Sequence, residues 1–239
     1  MPRRRRGLPL AIILVLIALA AWQVFRHLAP PRPANKTKTK TNEREARAGS
    51  PQVNPPVGEG CSSLSLSCSS QYFVDWNPPQ DGKCRTQMSH GFPIPDPRCT
   101  PGGINPTVSV SVMRDAAWRT RCVRNCETSE SVKRQVYGWY SVIAPRRNRG
   151  ESQICELDHL VPLELGGADG LGNIWPQCGP DDASLDPRFF RQKDRVESFL
   201  VQQVKAGCMS LQQAQREIAE DWTQFLDQTR SSRGEVACQ

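Results

Sequence analysis

His159 sits next to Asp158, and Asn173 follows fourteen residues after His159, in the string DHLVPLELGGADGLGN. A neutral imidazole can take a proton from water, a carboxylate can hold a divalent cation, and an amide oxygen can orient the imidazole or complete the metal shell. Together these functions suit hydrolysis of a phosphodiester. The cation matters because the transition state gathers charge on the nonbridging and leaving oxygens. The other two histidines are less well placed: His27 flanks an apolar run, and His90 falls in an irregular, Pro-rich stretch. Taken alone, Asp158-His159 also describes a hydrogen-bonded pair in a turn, which is the commoner situation.

The elements around the pair are legible. In ICELDHLVPLELGGADGLGNIWPQCGP, residues 154–180, apolar residues flank Asp158-His159, a Gly-rich loop follows, and Asn173-Ile174-Trp175 resumes an extended pattern. This predicts a strand, loop, strand hairpin. If Asp158 faces Trp175, Cys155 faces Cys178, and a disulfide there would pin the hairpin. Downstream, Phe190, Val196, Phe199, Leu200 and Val204 recur at helical spacing, and LQQAQREIAEDWTQFLDQ predicts a second helix with Gly207 as the stop between them. Upstream, TSESVKRQVYGWY opens with a capping-box pattern at Thr128 or Ser129 and predicts a helix to Tyr140, with Tyr137, Trp139 and Tyr140 in the core. TVSVSVMRD, residues 107–115, reads as a short strand or the entry to a helix. Residues 61–106, with four cysteines and seven prolines, read as an irregular disulfide-pinned segment wrapped on the main domain.

DHLVPLELGGADGLGNIWPQ resembles the HNH endonuclease motif of the ββα-metal superfamily. Asp-His, an apolar-Pro-Leu run, Gly-Gly and a distal Asn recur there in the order seen at Asp158-His159, Leu160 to Leu163, Gly166-Gly167 and Asn173-Ile174. KDRVESFL, AQREIAEDW, DPRCTPGGIN and RTRCVRN are also similar to exported bacterial proteins with an HNH-like domain, and the strongest likeness spans about residues 128–227. The resemblance implies an α+β fold with a ββα-metal core and flanking helices. It implies His159 as general base, Asp158 as a metal ligand, and Asn173 as the residue positioning the histidine or its loop. The superfamily's last position, a His or Asn on the following helix, has no counterpart, since no His lies beyond His159. Asp194 is the expected substitute ligand, with Glu197 one turn on as runner-up, and Lys193 is expected to meet a phosphate as a point charge. Each of the three also reads as an exposed helix charge. Mg²⁺ is the expected cofactor from oxygen ligation and the resemblance, with Mn²⁺ or Zn²⁺ as alternatives.

The net charge of +7 does not itself point to nucleic acid. Residues 1–50 hold 11 of the 31 basic groups against two acids, leaving 20 basic and 22 acidic groups in residues 51–239. Affinity for DNA, the favoured partner over RNA, would therefore rest on local arginines, and Arg146, Arg147, Arg149, Arg188, Arg191 and Arg195 are expected to cluster around the site. Arg3 to Arg6 followed by the uncharged run Gly7 to Phe25 meets a membrane, as an uncleaved anchor or as a signal peptide cut after Ala20 or Ala21. Both place the remainder outside the cytoplasm, on the bacterial inner membrane facing the periplasm or secreted. Residues 29–60 read as a solvated tether, 61–127 as the Cys-rich segment and 128–239 as the nuclease-like domain. All ten cysteines lie beyond the tether, and no C-x-x-C pair exists, which argues for up to five disulfides rather than zinc. GGADGLG does not match a nucleotide-binding loop, so no nucleotide cofactor is expected. A catalytically inactive, disulfide-stapled envelope module that binds a partner is the alternative on the same scaffold. An unknown inhibitor protein would be a further partner.

Overall fold

The computed structural model describes residues 60–146, 148–181, 184–231 and 238. The expected membrane segment, the tether and Arg147 lie outside the described residues. Among the described residues, no helix is long and apolar enough to cross a membrane.

The protein is mixed α+β, with small antiparallel sheets and five disulfides. The hairpin predicted around the Asp-His pair consists of β5 (Cys155–His159) and β6 (Ile174–Cys178). Asp158 faces Trp175 and Cys155 faces Cys178, as the register argument requires, and the two cysteines are bonded. The helix expected after it is α4 (Phe189–Ala206). It ends at Gly207, whose φ of +84° suits the left-handed helix-capping conformation. The next segment is broken in two. Ser210 caps α5 (Leu211–Asp221), and Asp221 then turns its carboxylate onto the Thr223 amide, which ends α5 and leads through a 3-10 turn into α6 (Leu226–Ser231).

Upstream, the alternating stretch resolves as a short helix, α1 (Val110–Arg114), because Ser109 accepts from the Val112 amide as its N-cap. The single helix expected over 128–140 is instead two, α2 (Glu130–Lys133) and α3 (Gln135–Trp139), with no side-chain cap at Ser129. Tyr137, Trp139 and Tyr140 are buried. The Cys-rich segment contributes β1 (Gln71–Tyr72), paired with β4 (Gly103–Ile104), and the hairpin of β2 (Gln87–Ser89) and β3 (Phe92–Ile94). His90 and Gly91 turn that hairpin with φ of 48° and 82°, the two-residue pattern of a type I′ turn.

Disulfides Cys61–Cys122 and Cys68–Cys126 close loops of about sixty residues and staple the segment at its far end. Cys84–Cys99 and Cys208–Cys238 complete the set. One apolar core joins Val108, Met113 and Cys122 of the upstream part to Leu163 and Leu165 of the site loop and to Val196, Leu200 and Ile218 of the helices. A second core, centred on Trp139, Ile174 and Trp175, lies under the hairpin. The Cys-rich segment is therefore part of the body that positions the site.

Candidate active site

β5 alternates its side chains, so Glu156 and Asp158 share one face of the strand. With His159 at the strand end they line a cleft of about 160 Å³, together with Arg124 and Glu164, and with Asp194 and Glu197 from α4. Of the residues expected to act together, Asp158, His159 and Asp194 share this cleft, along with the runner-up Glu197. Asn173 and Lys193 are both fully buried and do not line it.

His159 is buried, with its Nε2 3.1 Å from Asp169 Oδ1. Opposite a carboxylate, Nε2 carries the proton and donates it, which leaves Nδ1 with a free lone pair. Burial lowers the His159 pKa below its usual value, although the Asp169 hydrogen bond works the other way. The imidazole is thus neutral at neutral pH and able to accept a proton. Burial also opposes ionisation of Asp169, but hydrogen bonds from His159 and from Lys133, at 2.7 Å, outweigh it and hold the carboxyl below the usual range.

Asp169 and Lys133 are the residues of the site that the sequence argument misses. Asp169 is visible only as a lone acid in the Gly-rich loop, ten residues past His159. Lys133 has one sequence signal: it precedes the buried Val136, Tyr137 and Tyr140 by three, four and seven residues, on the apolar stripe of that helical stretch.

Asn173 holds the loop that carries Asp169. Its Nδ2 donates to the carbonyls of Val161 and Ala168, and its Oδ1 accepts from the amides of Val161 and Gly103. Its backbone carbonyl also accepts from the Leu160 amide, directly after His159. Asn173 is therefore a positioning residue for both members of the dyad. Gly167 lets the loop close at this point, because a Cβ there would lie 1.8 Å from the Val161 carbonyl oxygen.

Lys193 has no route to a phosphate. Its ammonium donates to the His159 carbonyl at 2.8 Å and to Glu197 at 2.5 Å, and it lies 2.9 Å from Asp158 Oδ2 in ion-pair contact. That last contact lies off the line of a hydrogen bond, and Asp158 Oδ2 is buried without a hydrogen-bond partner. Burial alone would lower the Lys193 pKa, but Asp158 and Glu197 raise it, so the ammonium stays charged. The point-charge role expected for Lys193 is replaced by that of a buried counter-ion. Like Lys133 it occupies a stripe position, three residues after Phe190 and three before Val196.

Several carboxyl groups crowd around this ammonium. Burial, opposed by Lys193 and reinforced by Asp158, pushes Glu197 up to about 8. Burial, then Asp158 and Asp194, push Glu156 up to about 7. Burial and Asp158 raise Asp194, which Arg191 contacts at 3.1 Å. Among the described residues, no three or more His, Cys, Asp or Glu side chains are grouped to hold an ion. Zn²⁺ needs such a group, whereas Mg²⁺ takes one or two carboxylates and fills its shell with water and substrate oxygens. The carboxylate oxygens of Asp158 and Asp194 in the cleft are the hard donors that a Mg²⁺-type ion takes.

The expected arginine cluster is dispersed. Arg146 and Arg149 line another cleft. Arg188 is buried and donates to the Pro180 carbonyl. Arg195 pairs with Asp186 at 2.6 Å, and of the described arginines in the set only Arg191 contacts a residue of the acidic cleft through an ion pair. The class defined by fold and site is a disulfide-stapled α+β domain with a neutral His-Asp dyad at an acidic cleft. Comparison of the chain with protein-family models, curated proteins and solved structures gives no match.

Proposed function

We propose that the protein is a metal-dependent endonuclease that hydrolyses DNA phosphodiesters outside the cytoplasm. The observation that carries this is the His159-Asp169 dyad: a buried, neutral histidine at the edge of a cleft, with its protonated nitrogen held on a carboxylate. In the proposed reaction a water oxygen bonds to phosphorus, its proton passes to His159 Nδ1, and the bond from phosphorus to the 3′ oxygen breaks. Asp169 keeps the tautomer that makes Nδ1 the base and stabilises the imidazolium that forms. Asn173 holds the two in register. A Mg²⁺ ion on Asp158 and Asp194 would neutralise the acidic cleft toward a phosphate and stabilise charge on the leaving oxygen. The order of hairpin and helix, β5-β6-α4, agrees with the ββα arrangement that the resemblance implies.

Five disulfides fit an oxidising compartment outside the cytoplasm. With the Arg3–Arg6 cluster before the apolar run, the proposal places the domain on the periplasmic side of a bacterial inner membrane, or free of it if the leader is cut. The Lys193 ammonium beside Asp158 favours a second possibility, a binding module whose cation place is permanently filled from within. Nicking of supercoiled plasmid by the oxidised protein, with Mg²⁺, Mn²⁺ or EDTA and beside His159→Ala, separates the two. Nicking that needs the metal and is lost in His159→Ala is the expected result. A folded protein that leaves the plasmid intact with every ion would overturn the hydrolase and leave the module.

A further inference from the structure

Away from the acidic cleft, Arg134 at the junction of α2 and α3, together with Arg146 and Arg149 of the loop before β5, lines a cleft of about 580 Å³ with Tyr137 and Asn148. All three arginines are exposed, and among the described residues none has a carboxylate partner within ion-pair distance. Three guanidinium groups around one cavity without a counter-charge repel one another, and an anion between them removes that repulsion.

The loop that carries two of them is held in place. Asn148 Oδ1 accepts from the amides of Ile154 and Cys155, its Nδ2 donates to the Cys155 carbonyl, and Ser152 Oγ donates to the Arg149 carbonyl. The arginines are thus tied to the start of the same strand whose other end carries His159. Four residues of strand span about 13 Å. Tyr137 of the basic cleft lies close enough to Glu156 of the acidic one to feel its charge. The one cleft is lined by cations and the other by carboxylates.

We propose that the basic cleft is a phosphate-holding subsite for a polyanionic strand, separate from the reacting centre. This rests on the hydrolase proposal for the identity of the polyanion, a nucleic-acid backbone. The acidic cleft repels phosphate until a cation enters, so affinity must be supplied elsewhere, and Arg134, Arg146 and Arg149 supply it. The subsite therefore holds phosphates other than the one that is cut.

The test is binding of a short fluorescein-labelled DNA duplex to the full, oxidised chain in EDTA, where no metal-dependent turnover intrudes, from about 50 to about 200 mM salt. The Arg134→Ala/Arg146→Ala/Arg149→Ala variant is expected to bind at least tenfold more weakly at the lower salt. Its slope of log affinity against log salt should fall by two to three, about one per lost phosphate contact. The corresponding triple Lys variant should keep the slope, which separates charge from misfolding. Arg230→Ala, which removes an arginine paired with Asp227 on α6, should leave both unchanged. Equal affinity and slope for the triple Ala variant and the native chain would overturn the subsite, whether or not the plasmid is cut. Arginine-dependent binding without cleavage under any ion would leave the subsite standing and remove the hydrolase.

Discussion

Replacing Asp169 by Asn keeps the shape of the side chain and deletes the charge on which two buried partners depend. Lys133 and Asp169 are each only 2% exposed in their side chains, with Nζ 2.7 Å from Oδ1. Removing one member of such a pair leaves an uncompensated buried charge and destabilises by about 3–5 kcal/mol. Here the stranded ammonium keeps the Asn125 side-chain oxygen at 2.8 Å and Glu130 at 3.5 Å, the latter on a largely exposed side chain. The expected loss for Asp169→Asn is therefore at the lower end, about 3 kcal/mol. Lys133→Met leaves Asp169 with His159 and two long contacts from the Glu127 and Thr128 amides, and about 2 kcal/mol is expected. Because the two losses share one cause, the double variant should fall short of their sum by about 2 kcal/mol. Urea unfolding followed by the fluorescence of the buried Trp175 and Trp222 measures all four corners of this cycle. In the plasmid assay, Asp169→Asn should also slow nicking by about 10²–10⁴, since the imidazole loses the partner that fixes its tautomer. Additivity to within about 0.5 kcal/mol, or an Asp169→Asn variant as stable as the native chain, would refute the buried pair as the element that holds the dyad.

Three further outcomes follow from the same geometry. Gly167→Ala places a methyl group 1.8 Å from a backbone oxygen that cannot swing away, and its denaturation midpoint should drop by an amount equivalent to 3 kcal/mol or more; about 1 kcal/mol or less would mean the loop can shift. Cys155→Ser/Cys178→Ser opens a bridge with a sequence separation of 23, which loop-closure entropy values at about 3 kcal/mol, read as a fall in melting temperature under oxidising conditions only. For Glu156 the folded-state value of about 7 lies above the ordinary 4.5, so the folded protein holds this proton longer than the unfolded chain. Its contribution to stability is complete below about 4.5 and is lost as pH rises toward 7. Glu156→Gln removes that loss, and the stability of the variant relative to the native chain should grow by about 2–3 kcal/mol between about pH 5 and pH 8. A constant difference across that window would contradict the assigned environment.

The hairpin was legible because its signals are local. Alternation on either side of a Gly-rich loop marks the two strands, and once Asp158 is set opposite Trp175 the Cys155–Cys178 bridge follows. α4 and its stop were legible for the same reason, since helical spacing and a glycine at the end are properties of neighbouring residues. Helix breaks escaped this kind of argument: Asp221 turns to an extended backbone with its carboxylate on the Thr223 amide, which period alone does not report.

The sequence by itself determined that Asp158, His159 and Asp194 could serve one chemistry, and that the cysteines serve a domain outside the cytoplasm. Only the tertiary structure decided what each charge does. Lys133 and Lys193 each sit on a helix stripe that is otherwise apolar, which in sequence looks like an interruption of the pattern. In the fold each meets a buried carboxylate brought from the hairpin, Asp169 of its loop in one case and Asp158 of β5 in the other. The partner of a buried charge is set by packing across 35 to 36 residues of chain, and no local spacing encodes it. The same packing makes His159 a neutral imidazole held on a carboxylate, because burial and Asp169 act on it only in the folded chain.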